Sequence, residues 1–339
     1  MYMALLQLNR MGYCYAMKQK ALIIRFSSFG DIIQSLSCIN ELAKDYEIDF
    51  LTKNQFAALP TLHPEVKNVI SFDRKTGLLG LIKLAWGLRQ VKYDLIYDAH
   101  ENPRSKVVRW ILSFLISTKI IVRSKDRIKR FLFFKFNQRD ILPHPFKGMV
   151  SYCRPLGLNP SPQLLTFETK ISKERRDYLD QFSSRICLVP SAAWDMKRWP
   201  ISHWKNLIKE LNSQSVILGG PDDHFCAELS SQSDFCDNLS GKLSLIESCY
   251  IVSKSKIVIS GDTGLLHVAD LQSVPVIALI GPTAFGYPTF ETSHVLEKTM
   301  PCKPCSKDGR GNCIQSIWQK CMVDISPTEV HQKINQLID

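Results

Sequence analysis

Residues 21–31 read ALIIRFSSFGD. A short apolar run, 21–26, stops at a Ser-Ser-Phe-Gly-Asp turn. Ile32, Ile33, Leu36, Ile39, Leu42 and Ala43 then recur at helical spacing,. This is a buried strand, a tight turn and a helix, the opening unit of a parallel α/β sheet. Working outward, the alternation continues. Strands are expected at 47–52, 68–72, 94–98 and 119–123, with helices at 76–91 and 104–116 between them. Residues 139–170 carry Pro143, Pro145, Pro155, Pro160 and Pro162 with little periodicity, and read as a linker,. A second series follows, with strands at 186–190, 215–219, 256–260 and 275–280. Its helices are expected at 201–212, 222–232, 244–254 and 264–272. Two Rossmann-like halves in series predict two parallel sheets facing across a cleft, with ligands beyond the carboxyl ends of the strands.

The whole chain sets the bounds. Its 339 residues are 45% hydrophobic and 22% charged, which fits about two globular domains and excludes wholesale disorder. The longest apolar stretch, Trp110 to Val122, is interrupted by Ser113, Ser117, Thr118 and Lys119, too short for a spanning helix. Lys and Arg number 43 against 32 Asp and Glu, a net charge of +11, which favours an anionic partner. Residues 1–19 have no leader pattern and read as an extension, with Met17 a plausible start. Eleven cysteines, an odd number, do not describe a secreted disulfide scaffold,, so the cytoplasm is the expected compartment.

Four stretches carry chemistry. In the first, Gly30 permits the turn after the strand, and Asp31 lies at the start of a helix. Asp31 is either a helix cap or a carboxylate facing the cleft as a general base. The G-x-G-x-x-G fingerprint is absent, against a nicotinamide-binding turn. The second is PSAAWDMKRWP, residues 190–200. Its small residues let backbone amides approach an anion, and Lys197 can hold a phosphate as a point charge; a solvated basic loop is the plain alternative. The third is SGDTGLLH, residues 260–267, again a strand ending in a turn that opens a helix. Such an N-terminus binds phosphate, although Asp262 and Thr263 also suit plain caps and His267 a satisfied core position. The fourth is LGGPDD, residues 218–223, whose carboxylate suits a ribose diol or, again, a helix start.

In this order, together with YDLIYDAHENPRS (93–105), VPVIALIGPT (274–283) and ISPTEV (325–330), these stretches resemble glycosyltransferase family 9. These are the ADP-heptose:lipopolysaccharide heptosyltransferases and their relatives. The resemblance covers about residues 20–335. It implies a GT-B fold: an acceptor domain over 20–160, a nucleotide-sugar domain over 161–325, and a C-terminal helix over 326–339. It also implies inverting, metal-independent transfer of heptose from an ADP-sugar donor to a glycolipid acceptor. Carried over, Asp31 is the base and Lys197 stabilises the donor phosphates. Asp262, Thr263, Gly264 and His267 surround the pyrophosphate, Asp223 holds the ribose, and Leu243 lines the base pocket. Ser191, Ala192 and Ala193 replace the Thr or Gly of some relatives, so phosphate contact there falls to backbone groups. His100 and Glu101 replace the commoner Gln-Gly. Ser28, Gly30, His100, Asn102 and Arg104 are expected on the acceptor side. The resemblance leaves open another nucleotide sugar, a protein acceptor, or a nucleotide-binding protein without transferase activity.

Two segments stand apart. Residues 104–139 hold eleven Lys and Arg against Asp126 alone, nearly the whole charge excess. Phe131, Leu132, Phe133, Phe134 and Phe136 are interleaved. This composition predicts peripheral docking on the anionic inner face of the inner membrane, and no nucleic-acid module is visible. Cys302, Cys305, Cys313 and Cys321 form a C-x2-C-x7-C-x7-C series within the loop 301–322. Four thiolates at that spacing predict a structural zinc or iron site apart from the transfer chemistry; disulfides or free thiols are the alternatives.

Overall fold

A computed structural model describes residues 18–338. Most of the expected extension, residues 1–17, lies outside the described residues. The first half carries strands β1 (Gln19–Ile24), β2 (Tyr46–Lys53), β3 (Val66–Phe72), β4 (Leu95–Asp98) and β5 (Lys119–Val122). Its helices are α1 (Phe29–Ser35), α2 (Ile39–Leu42), α3 (Gly77–Leu88), α4 (Pro103–Ser113), α5 (Arg127–Lys135) and α6 (Gly148–Cys153). The strands form a parallel sheet in the order β3-β2-β1-β4-β5.

The second half carries β6 (Ile186–Val189), β7 (Ser215–Ile217), β8 (Cys236–Asn238), β9 (Ile257–Gly261), β10 (Val276–Ile280) and β11 (Ser293–Glu297). Its helices are α7 (Lys173–Leu179), α8 (Ile201–Glu210), α9 (Phe225–Ser230), α10 (Leu245–Lys254), α11 (Gly264–Leu271), α12 (Lys320–Val323) and α13 (Pro327–Ile338). The sheet is parallel, in the order β11-β10-β9-β6-β7-β8. In both sheets the first strand of the half lies inside and the chain winds outward on both sides, the doubly wound plan. The inner strands β4, β6, β9 and β10 are buried along their whole length. They are covered on both faces, hence their continuous apolar runs.

The stretch 139–170 is corrected by the structure. It contains α6, whose Met149, Tyr152 and Cys153 are buried in the same apolar cluster as Ile23 and Tyr97. Flanking prolines and only six helical residues hide its period. The short edge strands β8 and β11 and helix α5 are likewise additions to the expected elements.

The halves meet through α1 and α11. A methyl on Gly30 would stand 2.9 Å from the His267 ring. A methyl on Gly264 would overlap the Phe29 ring outright. Each helix therefore presents an aromatic side chain to a glycine on the other. Both helix N-termini, and the turns before them, open onto one cleft.

Candidate active site

β1 delivers Arg25 and then the Ser27–Asp31 turn. Ser28 is the N-cap of α1 and Asp31 lies in its first turn. The Asp31 carboxylate is held from three sides. Arg25 Nη2 lies 2.5 Å from Oδ2. Ser28 Oγ donates to Oδ2 at 2.8 Å and Tyr152 OH donates to Oδ1 at 2.8 Å. Tyr152 is itself fixed: the Tyr97 hydroxyl donates to its carbonyl, and the Arg123 guanidinium stacks 3.9 Å from its ring centroid. Burial works to raise the carboxyl, but Arg25, then the tyrosine hydroxyl and Arg123, outweigh it and hold Asp31 well below the ordinary carboxylate range. Asp31 is thus both a first-turn residue reaching back to Ser28 and part of the cleft lining. Its side chain keeps 36% of its exposure, whereas Arg25 keeps 5%.

Across the cleft, β9 runs into Asp262 and the N-cap Thr263 of α11, whose Oγ1 accepts from Leu266 N. Lys197 Nζ lies 2.9 Å from Asp262 Oδ2 and Thr283 Oγ1 donates to the same oxygen at 2.9 Å. Both side chains of the Lys197–Asp262 pair are 14% exposed. Burial opposes the Asp262 charge, yet Lys197 prevails and lowers the carboxyl. His267 lies 3.9 Å from Asp262 Oδ1. Desolvation pushes its imidazole down, so this is a contact with a neutral ring rather than an ion pair.

Two cavities meet here. One, of about 480 Å³, is lined by Ser191, Ala192, Ala193, Asp223, Leu243 and Thr263, among others. The other, of about 430 Å³, is lined by Ser28, Gly30, Asp31, Lys197, Asp262 and His267, with Gln34, Phe285, Lys307 and Asp308 beside them. Phe29, Ala193, Thr263 and Gly264 line both. Asp223 Oδ2 is occupied by Ser191 Oγ at 2.6 Å and Gly220 N at 2.7 Å. Among the described residues its Oδ1 has only Arg198, 3.9 Å away, and so remains available to a ligand.

The residues expected around the donor thus lie together, facing Ser28, Gly30 and Asp31. His100, Asn102 and Arg104 do not join them in either cavity lining. His100 is buried edge-on against Phe26, and desolvation, with Arg25 nearby, pushes its imidazole down to about 3. Asn102 caps α4, accepting from Ser105 N. Arg25, Tyr152, Arg123, Phe285 and Lys307 join the site without having been expected there. A lone Arg inside the apolar run 21–26 is a usable signal, because a buried cation needs a partner. Nothing local marks Tyr152.

Among residues 131–136, Phe133 is buried and Phe134 packs on Phe285. Arg130 stacks 4.1 Å over Phe285, and Arg123 is buried against Ser151 and Tyr152. The exposed apolar face of α5 and its C-cap consists of Ile128, Phe131 and Phe136, beside the cations Arg127, Lys129 and Lys135. Among the described residues, no three His, Cys, Asp or Glu side chains close into a group able to hold a metal ion. Cys302, Cys305, Cys313 and Cys321 are free thiols. The spacing brings the four thiols into one loop region, where burial, with Cys305, Cys313 and Cys302 all within electrostatic reach, pushes the Cys321 thiol up to about 11. Among the described residues no helix is long and apolar enough to cross a membrane.

Residues 81–312 match the model of glycosyltransferase family 9 (heptosyltransferase). The chain is 26% identical to lipopolysaccharide heptosyltransferase 2 of Escherichia coli strain K12, over 94% of this chain and 98% of that one. The solved E. coli ADP-heptose lipopolysaccharide heptosyltransferase II superposes with a TM-score of 0.66 at 22% identity, covering 94% of this chain and 98% of that one. E. coli heptosyltransferase WaaC, solved with ADP-2-deoxy-2-fluoro heptose, gives 0.64 at 17% identity, covering 94% and 99%. The shared architecture is GT-B.

Proposed function

This chain belongs to glycosyltransferase family 9 and is a glycosyltransferase; from that premise we propose that it transfers heptose from ADP-heptose to a lipopolysaccharide core or related surface glycan, inverting the anomeric carbon without a metal ion. In this reading residues 20–160 receive the acceptor and residues 161–325 the nucleotide sugar. The observation that carries it is the pair of cavities joined at Thr263 and Gly264, one leading to Asp223 and the other to Asp31. A nucleoside diphosphate laid over the α11 N-terminus has its ribose toward Asp223 Oδ1 and its sugar toward Asp31. The names of the E. coli relatives supply the sugar and the acceptor class.

The chemistry follows from the geometry. The amides at the α11 N-terminus and the Lys197 ammonium meet the charge that grows on the leaving diphosphate. Asp31 sits on the opposite side, where an acceptor hydroxyl attacks in line. A carboxylate so stabilised by Arg25 and Tyr152 is a weak base. It takes the proton late, once the attacking oxygen has bonded to the anomeric carbon and its hydrogen has become acidic. Until then its fixed negative charge faces the positive charge that develops on the sugar.

Calorimetry with ADP-heptose, ADP and UDP under chelation tests the donor. Binding of the adenine ligands that survives chelation, with UDP weaker by about tenfold or more, is expected. Preference for UDP, or a strict need for Mg²⁺, would refute the donor assignment.

The same reading places the enzyme in the cytoplasm, docked on the inner face of the inner membrane through the exposed face of α5 and its C-cap. Apolar side chains ringed by cations suit an anionic interface. Vesicle flotation should show binding that rises with anionic lipid and falls with salt. Phe131→Ser with Phe136→Ser should weaken it by about tenfold or more, since each ring loses its burial in lipid. Equal flotation on neutral vesicles, or an unaffected double variant, would count against this face.

A further inference from the structure

The cysteine-bearing loop between β11 and α12 lies directly against Lys197. Gly309, at φ +89°, presses on the lysine stem: a methyl there would stand 2.5 Å from Lys197 Cγ, 2.6 Å from Cδ and 3.3 Å from Trp194 Cβ. The loop is tied down around this contact. Gly309 N donates to Ser306 Oγ, which donates to the Arg310 carbonyl. Cys305 N and Ser306 N donate to the Pro282 carbonyl at 3.1 and 3.0 Å. The Gln319 amide donates to the Asp195 carbonyl. From the other half of the molecule, Arg139 Nη1 donates to the Pro304 carbonyl at 2.7 Å. The same loop carries Lys307 and Asp308 into the cleft lining beside Lys197.

We propose that this loop is a strap that seats Lys197 for the donor diphosphate, with Gly309 as a positioning residue. A lysine is a point charge on a flexible four-carbon stem. Left free, it would sample many rotamers and meet the leaving group in few of them. Gly309 closes one side of the stem while Asp262 holds the ammonium. The charge is then in place before the bond breaks, the condition under which such a group is most effective. Only glycine serves, because any Cβ both strains this φ and displaces the stem. The diphosphate part of this proposal rests on the donor reading above; the seating of Lys197 does not.

The test compares Gly309→Ala with Gly311→Ala. Gly311 is in the same loop at φ +108°, but a methyl there meets nothing within 4 Å. Both variants strain the loop and only one touches Lys197. Gly309→Ala should lower kcat/KM for ADP-heptose by about 10–100-fold, mainly through kcat, and Gly311→Ala by less than about threefold. In a Lys197→Ala background the Gly309→Ala loss should shrink to within about threefold, because both act through one group. Amine labelling read by mass spectrometry supplies a substrate-free measure: Lys197 should react several-fold faster in Gly309→Ala and unchanged in Gly311→Ala. If Gly309→Ala does not fold, Arg139→Ala, which unties the loop at Pro304, should expose Lys197 to the label instead. Equal behaviour of the two glycine variants, a full Gly309→Ala loss without Lys197, or, in the fallback, unchanged labelling of Lys197 would overturn the strap. Wild-type protein that does not use ADP-heptose would refute the donor reading, and the labelling pattern would then decide the strap alone.

Discussion

Replacing Asp31 by Asn should lower transfer by about 10²–10⁴-fold, the range that a positioned general base supplies, while ADP binding stays within about threefold of wild type. Asn keeps the volume and still accepts from Tyr152, but it cannot take a proton and it carries no charge. In the donor reading proposed above, the nucleotide lies on the far side of Thr263 and Gly264 and does not need it. Stability should fall as well. Arg25 is buried, and without Asp31 its charge has no opposite partner among the described residues, so kcat must be measured on protein shown to be folded. The pH dependence has a definite sign. Burial opposes the Asp31 charge, but Arg25, with Tyr152 and Arg123, holds the carboxyl below its unfolded value. Its contribution to stability is therefore fully present above the unfolded carboxyl pKa, about 3.9, and is lost as pH falls from there through the native value. Transfer between pH 5 and 9, roughly the interval above that carboxyl range, should show no limb from Asp31. An Asp31→Asn enzyme retaining more than about a tenth of wild-type activity would remove Asp31 from the base role.

Lys197→Ala should cost about 10²–10³-fold in kcat, the usual loss when one donor aimed at developing charge is removed. Affinity for ADP should drop less, by roughly tenfold, since the α11 amides remain. The asymmetry is informative. A group that meets the diphosphate equally before and during bond breaking raises KM alone; one that meets the growing charge lowers kcat. Among the described residues, removing the ammonium leaves Asp262 with only the Thr283 hydroxyl and a neutral His267 against it, and its carboxyl should rise toward the ordinary range. A loss confined to KM, or a kcat within about threefold of wild type, would count against this role.

The units opened by β1 and β9 were legible because their strands carry buried apolar runs and their turns carry Gly or Asp in sequence. ALIIRF, KIVIS and PVIALI are runs with no room for another reading, and the turns after β1 and β9 place Asp31, Asp262 and Thr263 without any knowledge of the partner half. Linker, basic helix and cysteine loop were less legible for a common reason. Tyr152 matters through Asp31, 121 residues away, and Gly309 matters through Lys197. Neither contact has a local period or motif. Composition likewise overstated the apolar face of 131–136, because it cannot separate Phe133, which faces Leu142 and Ala284, from Phe131, which faces solvent. Cysteine spacing placed four thiols near one another, and Cys302, Cys305 and Cys313 do lie within electrostatic reach of Cys321; the contact of their loop with Lys197 carries no such local signal.

The reciprocal seating of Phe29 on Gly264 and His267 on Gly30 also limits how relatives can be recombined. A chimera that takes one half from this chain and the other from a homologue inherits one glycine and one aromatic side chain from each parent. If the incoming α11 carries Ala for Gly264, Phe29 has nowhere to sit; if the incoming α1 has a residue larger than Gly at position 30, His267 is displaced. The two halves are therefore not freely interchangeable modules in this molecule. They can be exchanged only together with the four residues by which α1 and α11 recognise each other.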